Sequence, residues 1–386
     1  MVPCPGCGAA NPIAGYRIAA APVHAVRLCE SAEAARVEAT APITLAFCGR
    51  CGLVFNAGFD AGKLSYDDAY EGTQSFSPTF RRFSATLAAE VAEAARGRPG
   101  PVVEAGCGQG EFLREVLAAG APAALGFDMA HDPARAGPFD ARLRIEAAPF
   151  APGAVGEASA LISKMTLEHV AAPGAFLAGL AEAAGRARCP LFLTVPDAGG
   201  ILARGAFPDV LYEHANYFTA ASLGQLLARA GFREIAVRPG FGAQYLVARA
   251  RPGAADPPPV SEEERETFST FAAAATASAG RWRDWRRALG AEGRRLLLWP
   301  GASKAVGFLA ATGPAPDPVA AVDINPRKAG TFLPGSGLPI LAPATAAALA
   351  PTDILLMNPI YAEEVATQAA AAGLSARITP FLTEGP

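Results

Sequence analysis

Residues 101–120 read PVVEAGCGQGEFLREVLAAG, and this stretch predicts the fold of the middle of the chain. A short apolar strand leads into Glu104, and a loop then carries Gly106, Gly108 and Gly110. Apolar residues at helical spacing follow the loop. Glycine has no Cβ, so it permits positive φ and lets a ligand lie against the backbone, while the helix N-terminus offers unpaired N–H groups. The stretch therefore predicts a strand, a glycine loop and a helix that bind a nucleotide.

Two kinds of nucleotide site are compatible with this loop. A dinucleotide fingerprint is one, but a glycine pattern alone is weak evidence in a chain with 40 glycines. The next strand, AALGFDM, ends at Asp128, where a carboxylate can accept both hydroxyls of a ribose. The acid at Glu104, the three glycines and Asp128 together resemble the class I S-adenosylmethionine (SAM) methyltransferases. This resemblance implies that SAM binds Glu104, Gly106, Gly108, Gly110 and Asp128.

The composition indicates compact globular domains. The chain has 386 residues, 51% hydrophobic and 18% charged, which is enough for two or three domains with their own cores. A net charge of -3 gives no electrostatic footprint for nucleic acid. No apolar run reaches the length of a membrane span, and the N-terminus does not resemble a signal peptide. We therefore expect a soluble cytoplasmic protein, monomer or homodimer, without nucleic-acid or membrane partners.

Two matching cysteine pairs lie near the N-terminus. Cys4 and Cys7 form one C-x-x-C, and Cys48 and Cys51 form another, each followed by glycine. Two such turns can present four thiolates to one ion, the tetrahedral arrangement that structural zinc prefers. The alternative is two unrelated turns or a redox pair. The spacing favours a closed zinc site that stabilises the fold.

The strand pattern after residue 101 favours a methyltransferase over a dehydrogenase. Strands and helices alternate through ASALISK and LFLTVPD, and the segments IAVRPGF and QYLVARA then follow one another across a short glycine turn. That pair predicts an antiparallel hairpin at the end of an otherwise parallel sheet. Such a hairpin distinguishes methyltransferases from dehydrogenase Rossmann domains.

The segment MTLEHV follows the strand ISK at the edge where open α/β sheets bind ligands. Met165 is therefore expected beside the cofactor. His169 is a candidate for the chemistry, although a satisfied structural histidine is the commoner case.

The richest polar cluster is FPDVLYEHANYFTAASL, residues 207–223. It contains Tyr212, Glu213 and His214 just before a helix that opens at Thr219. An imidazole suits removal of a proton beside a carbonyl, and a neighbouring carboxylate can orient it. His214 is the leading candidate base; the alternative is a surface loop that is polar by chance.

An aromatic and polar segment, KLSYDDAYEGTQSFSPTFRRF, precedes the glycine loop. Such a segment ahead of a methyltransferase core often folds over the cofactor, which makes Tyr70 a candidate site residue. Alternatively, its tyrosines pack one domain onto the next.

A proline-rich and then acidic linker, residues 252–266, separates the last domain and ends in a capping box at Ser261 and Glu264. Ser303 and Lys304 lie in a strand-to-helix turn after RLLLW, and further strands follow. A lysine at a helix N-terminus suits a phosphate, so this second Rossmann-like unit is expected to bind one. A purely structural α/β domain is the alternative.

Taken together, the chain resembles the sugar C-methyltransferase family. The motifs that carry this resemblance are CPGC with FCGRCGLVFN, VVEAGCGQGEF, YEHANYF, WPGASKAVGFL, VDINPRKAGTFLPGSGLPI and ILLMNPIYAEEV. The resemblance implies an α/β fold with a zinc-binding domain at residues 1–65, a SAM-dependent methyltransferase domain at 66–252 and a Rossmann-like substrate domain at 262–386. It also implies a structural zinc ion and a nucleotide-linked keto-deoxysugar that is methylated at the carbon beside its ketone.

By position, the resemblance implies that His214 is the base, beside Glu213, with His169 and Tyr70 in the same site. Tyr70 and Tyr212 are candidates to stabilise the enolate oxygen. One departure concerns Leu211, which stands where members with sugar substrates usually have tyrosine. Either Tyr212 reaches the same space from another direction, or the substrate differs. The alternative functions are an O- or N-methyltransferase of another small metabolite, or a non-catalytic SAM-binding protein.

Overall fold

The computed structural model describes residues 2–135, 137–313 and 318–385. In chain order its strands are β1 (Ile13–Pro22), β2 (Thr40–Phe47), β3 (Val54–Asn56), β4 (Val102–Ala105), β5 (Ala124–Phe127), β6 (Leu143–Glu146), β7 (Ala160–Lys164), β8 (Leu191–Pro196), β9 (Asn216–Tyr217), β10 (Phe232–Gly240), β11 (Tyr245–Pro252), β12 (Leu296–Trp299), β13 (Ala320–Val322), β14 (Ile340–Leu341), β15 (Asp353–Leu356) and β16 (Arg377–Pro380). Its α-helices are α1 (Ala32–Arg36), α2 (Pro78–Ala95), α3 (Glu111–Ala118), α4 (Pro173–Ala187), α5 (Ala198–Arg204), α6 (Ala220–Ala230), α7 (Glu262–Ala291), α8 (Ser303–Thr312), α9 (Pro343–Ala346) and α10 (Ala362–Ala371). None of the helices described is both long and apolar enough to cross a membrane.

The central sheet has seven strands in the order β10-β11-β8-β7-β4-β5-β6. Its strands from β4 to β8 pair in parallel, whereas β11 runs antiparallel to both β8 and β10. After β4, the next two strands, β5 and β6, are added on one side of it, and β7 and β8 are then added on its other side. The chain connections that leave β4 and β7 therefore run in opposite directions. This is the class I methyltransferase strand order, and it confirms the predicted late hairpin. Ligands bind at the carboxyl edge beside such a point of divergence.

Helix α3 forms where the sequence pattern predicts it. Its apolar residues Phe112, Leu113, Val116 and Leu117 are all buried, since their spacing places them on one face. That face packs with α2 against the central sheet. The helix N-terminus is thereby fixed directly behind the glycine loop.

A four-stranded antiparallel sheet near the N-terminus has the order β1-β2-β3-β9. Its last strand comes from the polar segment that follows β8, because Asn216 and Tyr217 pair with Phe55 and Val54. The loop that carries His214 is therefore held between this sheet and the central sheet.

The C-terminal sheet is a parallel five-stranded unit in the order β14-β13-β12-β15-β16. The long helix α7 leads into it and begins at Ser261, whose capping box with Glu264 is formed as predicted. Trp282 of α7 is fully buried and stacks on Phe381, with ring centroids 5.1 Å apart. This confirms the predicted second Rossmann-like α/β unit.

Candidate active site

A cleft of about 1110 Å³ lies at the carboxyl edge of the central sheet. Its wall includes Tyr66 and Tyr70 from the segment before α2, and Ser303 and Lys304 from the C-terminal unit. The glycine loop forms its floor. Residues from all three parts of the chain therefore meet in one cavity.

The glycine loop needs glycine at its first and last positions. Gly106 has φ of +79°, and a Cβ there would lie 2.2 Å from Oγ1 of Thr166. At Gly110, with φ of +77°, a Cβ would lie 2.5 Å from Cδ1 of Ile145. A Cβ on Gly108 would meet nothing within 4 Å, because that residue faces the cleft. The loop thus presents bare backbone to a ligand.

Asp128 shapes this loop and also lines the cleft. Its Oδ2 accepts the N–H of Gly108 at 2.7 Å, and its Oδ1 accepts the N–H of Ala130 at 2.8 Å. Each carboxylate oxygen has a second lone pair, so both contacts leave capacity for ribose hydroxyls. The position fits the predicted ribose-binding role.

Glu104 presents a buried acceptor without a partner. The residue is 2% exposed, and its Oε2 has no hydrogen-bond partner among the residues described. Burial raises the pKa of this carboxyl to about 8, against the opposing charge of Lys164. An orphaned carboxylate beside the glycine loop fits a ligand that brings a cationic N–H donor, as the amino-acid part of SAM does.

Met165 follows β7 with φ of +53° and lines the same cleft. Its N–H donates to the carbonyl oxygen of Thr194 at 2.8 Å, which fixes the turn between β7 and the next segment. Its position beside the loop agrees with the predicted place for a cofactor contact.

His169 and His214 form an edge-to-face pair with ring centroids 5.0 Å apart. The Nδ1 atom of His169 lies 3.0 Å from the carbonyl oxygen of Glu213. A carbonyl oxygen only accepts, so Nδ1 carries the proton and Nε2 keeps its lone pair. The hydroxyl of Tyr66 lies 3.3 Å from the same Nδ1.

Both imidazoles are neutral at neutral pH. Burial lowers the pKa of His169 to about 4. Burial also lowers the pKa of His214 well below its usual range, with further contributions from His169 and Lys304. Neutral imidazoles are free to accept a proton.

Glu168, which the sequence reasoning did not single out, completes this cluster. It is 2% exposed, its Oε2 has no hydrogen-bond partner in the described part of the chain, and burial raises its pKa to about 8. Glu168, His169 and His214 each have one potential metal-ligand atom, and these three atoms lie within 4.8 Å of one another. The only sequence signal for Glu168 was its position next to His169.

Glu213 does not contact the ring of His214 through a hydrogen bond in the described structure. Its Oε2 instead accepts the N–H of Ala25 at 3.4 Å, and burial raises the pKa of its carboxyl to about 7. Glu213 therefore ties the loop to the N-terminal sheet, and its carbonyl fixes the tautomer of His169.

The two tyrosine candidates lie in different places. Tyr70 lines the cleft and packs edge to face on Tyr66 at 4.9 Å, and burial raises the pKa of Tyr70 well above its usual range. Tyr212 is fully buried outside the cleft wall, stacked on Phe59, and its hydroxyl accepts the N–H of Asp60 at 3.0 Å. The structure therefore brings Tyr66 to His169 and Tyr70 to Tyr66 in the same cleft, but Tyr212 lies elsewhere.

Ser303 and Lys304 begin α8 and line the cleft from the C-terminal side. The ammonium of Lys304 forms an ion pair with Asp209, which also lines the cleft. The sequence pattern could not show this partner, because the two residues are far apart in the chain. An anion that binds here has to share Lys304 with a carboxylate.

The four N-terminal cysteines converge as predicted. The Sγ atoms of Cys4 and Cys51 are 3.6 Å apart, as are those of Cys7 and Cys48, and all four sulfur atoms lie within 4.8 Å of one another. None of them is in a disulfide. Tetrahedral zinc with bonds of ~2.3 Å places thiolates about 3.8 Å apart, so the cluster fits a zinc ion.

Several solved methyltransferase structures resemble the chain in part. One is 1,6-didemethyltoxoflavin-N1-methyltransferase of Burkholderia thailandensis, with 24% identity, 46% of this chain and 81% of that chain covered, and a TM-score of 0.34. Another is magnesium protoporphyrin IX methyltransferase of Synechocystis, with 17% identity, coverage of 45% and 84%, and a TM-score of 0.35.

Sequence comparisons cover both large domains. C-methyltransferase NovU of Streptomyces niveus is 30% identical over 189 residues, and the match covers 45% of each chain, so this chain spans less than half of that relative. The methyltransferase domain family matches residues 80–237. The C-methyltransferase C-terminal domain family matches residues 260–378. The chain thus carries a methyltransferase domain followed by a C-methyltransferase C-terminal domain.

Proposed function

We propose that the protein transfers a methyl group from SAM to a carbon atom beside the ketone of a small metabolite. The proposed substrate class is a nucleotide-linked keto-deoxysugar. The observation that carries this proposal is the pair of neutral imidazoles, His169 and His214, in the same cleft as the glycine loop. Transfer to carbon requires a base that makes a carbanion, whereas the loop alone would serve any methyltransferase.

The residues around the glycine loop are the proposed SAM site. Gly108 offers open backbone, Asp128 keeps free lone pairs for the ribose, and Glu104 has an unpartnered oxygen. Met165 is the proposed further contact. Bound SAM supplies a methyl group that its sulfonium makes electrophilic, so the protein has to position the acceptor and generate its nucleophilic carbon.

His214 is the proposed general base. In the buried cleft its neutral imidazole accepts the proton from the carbon beside the ketone, and the negative charge moves to the ketone oxygen. The resulting imidazolium and enolate attract each other strongly in the buried cleft, and this attraction offsets the cost of burying the charged ring. His169, whose tautomer Glu213 fixes, supports the base from the adjacent turn.

Tyr66 and Tyr70 are the proposed hydroxyl donors to the enolate oxygen. Burial raises the pKa of both phenols, Tyr66 beyond the ordinary range and Tyr70 well above it, so both stay protonated and able to donate. Tyr212 is not proposed for this role, because its hydroxyl is held by Asp60 outside the cleft wall.

Ser303 and Lys304 are proposed to contact the phosphate groups of the substrate. Lys304 has a carboxylate partner in Asp209, so the hydroxyl of Ser303 and the free N–H groups that open α8 are proposed to complete the contact. The four cysteines are proposed to bind one structural zinc ion, which has no part in the chemistry.

A panel assay tests this function. Purified protein is incubated with SAM and a series of nucleotide-linked keto-deoxysugars, and S-adenosylhomocysteine release is measured together with the site of methylation by NMR. We expect release with at least one keto-sugar and a new carbon–carbon bond beside the ketone. Methylation of an oxygen or nitrogen would contradict the proposal, and so would SAM binding without turnover on any member of the panel.

A further inference from the structure

Lys164 is the last residue of β7 and lines the inner end of the cleft. Its Nζ lies 5.2 Å from the ring centroid of Phe80 and 5.2 Å from that of Phe112. Phe80 belongs to α2 and Phe112 to the first turn of α3, so the ammonium is held between two helices behind the glycine loop. The rings fix the position of the charge without neutralising it.

The charge of Lys164 has no anionic partner in the described structure. No carboxylate oxygen of the described residues lies within 4.0 Å of its Nζ, and no described residue accepts a hydrogen bond from it. Glu104, Glu115 and Glu168 feel its charge at longer range, since it opposes the effect of burial on the pKa of each. A half-buried ammonium without a partner is costly unless a ligand supplies one.

Other cations that line the cleft are engaged by the protein. Arg135 and Arg327 both pair with Glu71, Lys304 pairs with Asp209, Lys328 pairs with Asp323, and Arg114 donates to the carbonyl of Pro138. Arg204, at the end of α5, is exposed and lies near Asp197. Lys164 is therefore the cation best placed to receive an anionic group beside the glycine loop.

Lys164 and Glu104 lie on neighbouring strands at one edge of the sheet. Glu104 pairs in register with Ile162 on the neighbouring strand, and Lys164 follows Ile162 by two residues on the same face. Both side chains thus project toward α2 and α3. The unpartnered carboxyl of Glu104, which ionises when a cation binds beside it, and the unpaired ammonium of Lys164 together complement an amino acid, whose α-ammonium and α-carboxylate are likewise adjacent.

We infer that Lys164 binds the α-carboxylate of the methionyl part of SAM, opposite Glu104 at its α-ammonium. The inference rests on the proposed use of SAM and assigns a binding partner to the carboxylate of the cofactor. It explains why a charged residue ends β7, since a neutral side chain would pack between the rings of Phe80 and Phe112 without the cost of desolvating a charge.

Calorimetry with two ligands tests this inference. One ligand is SAM and the other is decarboxylated SAM, which keeps the sulfonium and the ammonium but lacks the carboxylate. In wild-type protein we expect SAM to bind at least about 10-fold more tightly than the decarboxylated form, because a charge-assisted contact is lost. In Lys164→Met we expect SAM to bind about 10- to 100-fold more weakly, with the decarboxylated form changed by less than about 2-fold.

Two control variants sharpen the result. Arg204→Met removes another cation that lines the cleft but is exposed to solvent, and it should leave SAM affinity unchanged. Lys164→Arg keeps a positive charge and should retain more SAM affinity than Lys164→Met. If Lys164→Met does not fold, Lys164→Arg takes its place in the comparison of the two ligands. Equal losses for both ligands, or no loss for SAM, would overturn the inference.

These measurements need no methyl acceptor, so they separate two failures. Wild-type protein that binds no SAM would refute the proposed function itself. Wild-type protein that binds SAM with the same affinity as Lys164→Met would refute only the role of Lys164.

Discussion

The Nδ1 atom of His169 donates to the carbonyl oxygen of Glu213 at 3.0 Å, and this bond joins the turn after β7 to the loop that carries His214. Because Nδ1 is the donor, Nε2 of His169 is left with a lone pair. The ring of His214 packs edge to face on that of His169, with the ring centroids 5.0 Å apart. Two turns that are distant in the sequence thus form one neutral imidazole pair.

The proposed base is tested by replacing His214 with Asn. We expect turnover to fall by about 10²- to 10⁴-fold, the range that general-base catalysis contributes. SAM affinity should stay within about 2-fold, because His214 lies outside the proposed SAM site. Steady-state release of S-adenosylhomocysteine and calorimetry measure the two effects. Turnover close to that of wild type would remove His214 from the chemistry.

The orienting bond of His169 is tested by two matched variants. Asn can keep a donor near the position of Nδ1, whereas Ala cannot. We therefore expect His169→Asn to retain about 5-fold more activity than His169→Ala, since a hydrogen bond of this kind is worth about 1 kcal/mol. The comparison uses kcat/KM for both variants. If the two are equally impaired, His169 acts through Nε2 and not by holding Glu213.

The pH dependence of activity follows from the low histidine pKa values. Burial lowers the pKa of His169 to about 4 and that of His214 well below the ordinary 6.5, so both stay neutral as the pH falls through 6.5. We expect the acid limb of kcat/KM to lie below pH 6, measured between about pH 4.5 and 9. An acid limb centred at or above pH 6.5 would show that the base is a solvent-exposed imidazole.

The stability of the SAM-free protein should fall as the pH rises. A carboxyl whose pKa is raised in the folded state stabilises the fold below its unfolded pKa and loses this effect as the pH passes its folded pKa. For Glu104 that window runs from 4.5 to about 8. We expect Glu104→Gln to melt at least about 2 °C above wild type at pH 9 and to match it near pH 5. A constant difference across this range would contradict the prediction.

The cysteine cluster is tested by metal analysis. We expect one zinc ion per chain, and its loss in Cys48→Ser should lower the melting temperature by several degrees, since structural zinc contributes to folding free energy. Cys29→Ser is the matched control, because Cys29 lies outside the cluster. A chain with no bound metal after purification in zinc-containing medium would contradict the assignment.

Local sequence patterns predicted many of the elements and the conformation of the glycine loop. The glycines at Gly106 and Gly110, the acid at Asp128 and the capping box at Ser261 each depend on a few neighbouring residues, and a pattern of that range is visible in the sequence. The antiparallel hairpin of β10 and β11 also follows from short-range alternation and a glycine turn.

Contacts between distant segments could not be predicted in this way. Tyr212 and Tyr66 are equally polar in the sequence, yet only packing decides that Tyr212 is held by Asp60 while Tyr66 meets His169. The pairing of Lys304 with Asp209 depends likewise on how α8 packs against a preceding turn. That Lys164 has no anionic partner among the described residues is known only once the positions of the neighbouring carboxylates are known.

Proton exchange at the substrate carbon tests the central claim most directly. Wild-type protein and His214→Asn are each incubated in D₂O with a keto-sugar nucleotide that supports turnover, and deuterium at the carbon beside the ketone is followed by NMR. We predict deuterium incorporation, or methylation at that carbon, with wild type and neither with His214→Asn. Exchange that persists in the variant, or methylation without loss of that C–H bond, would contradict the account.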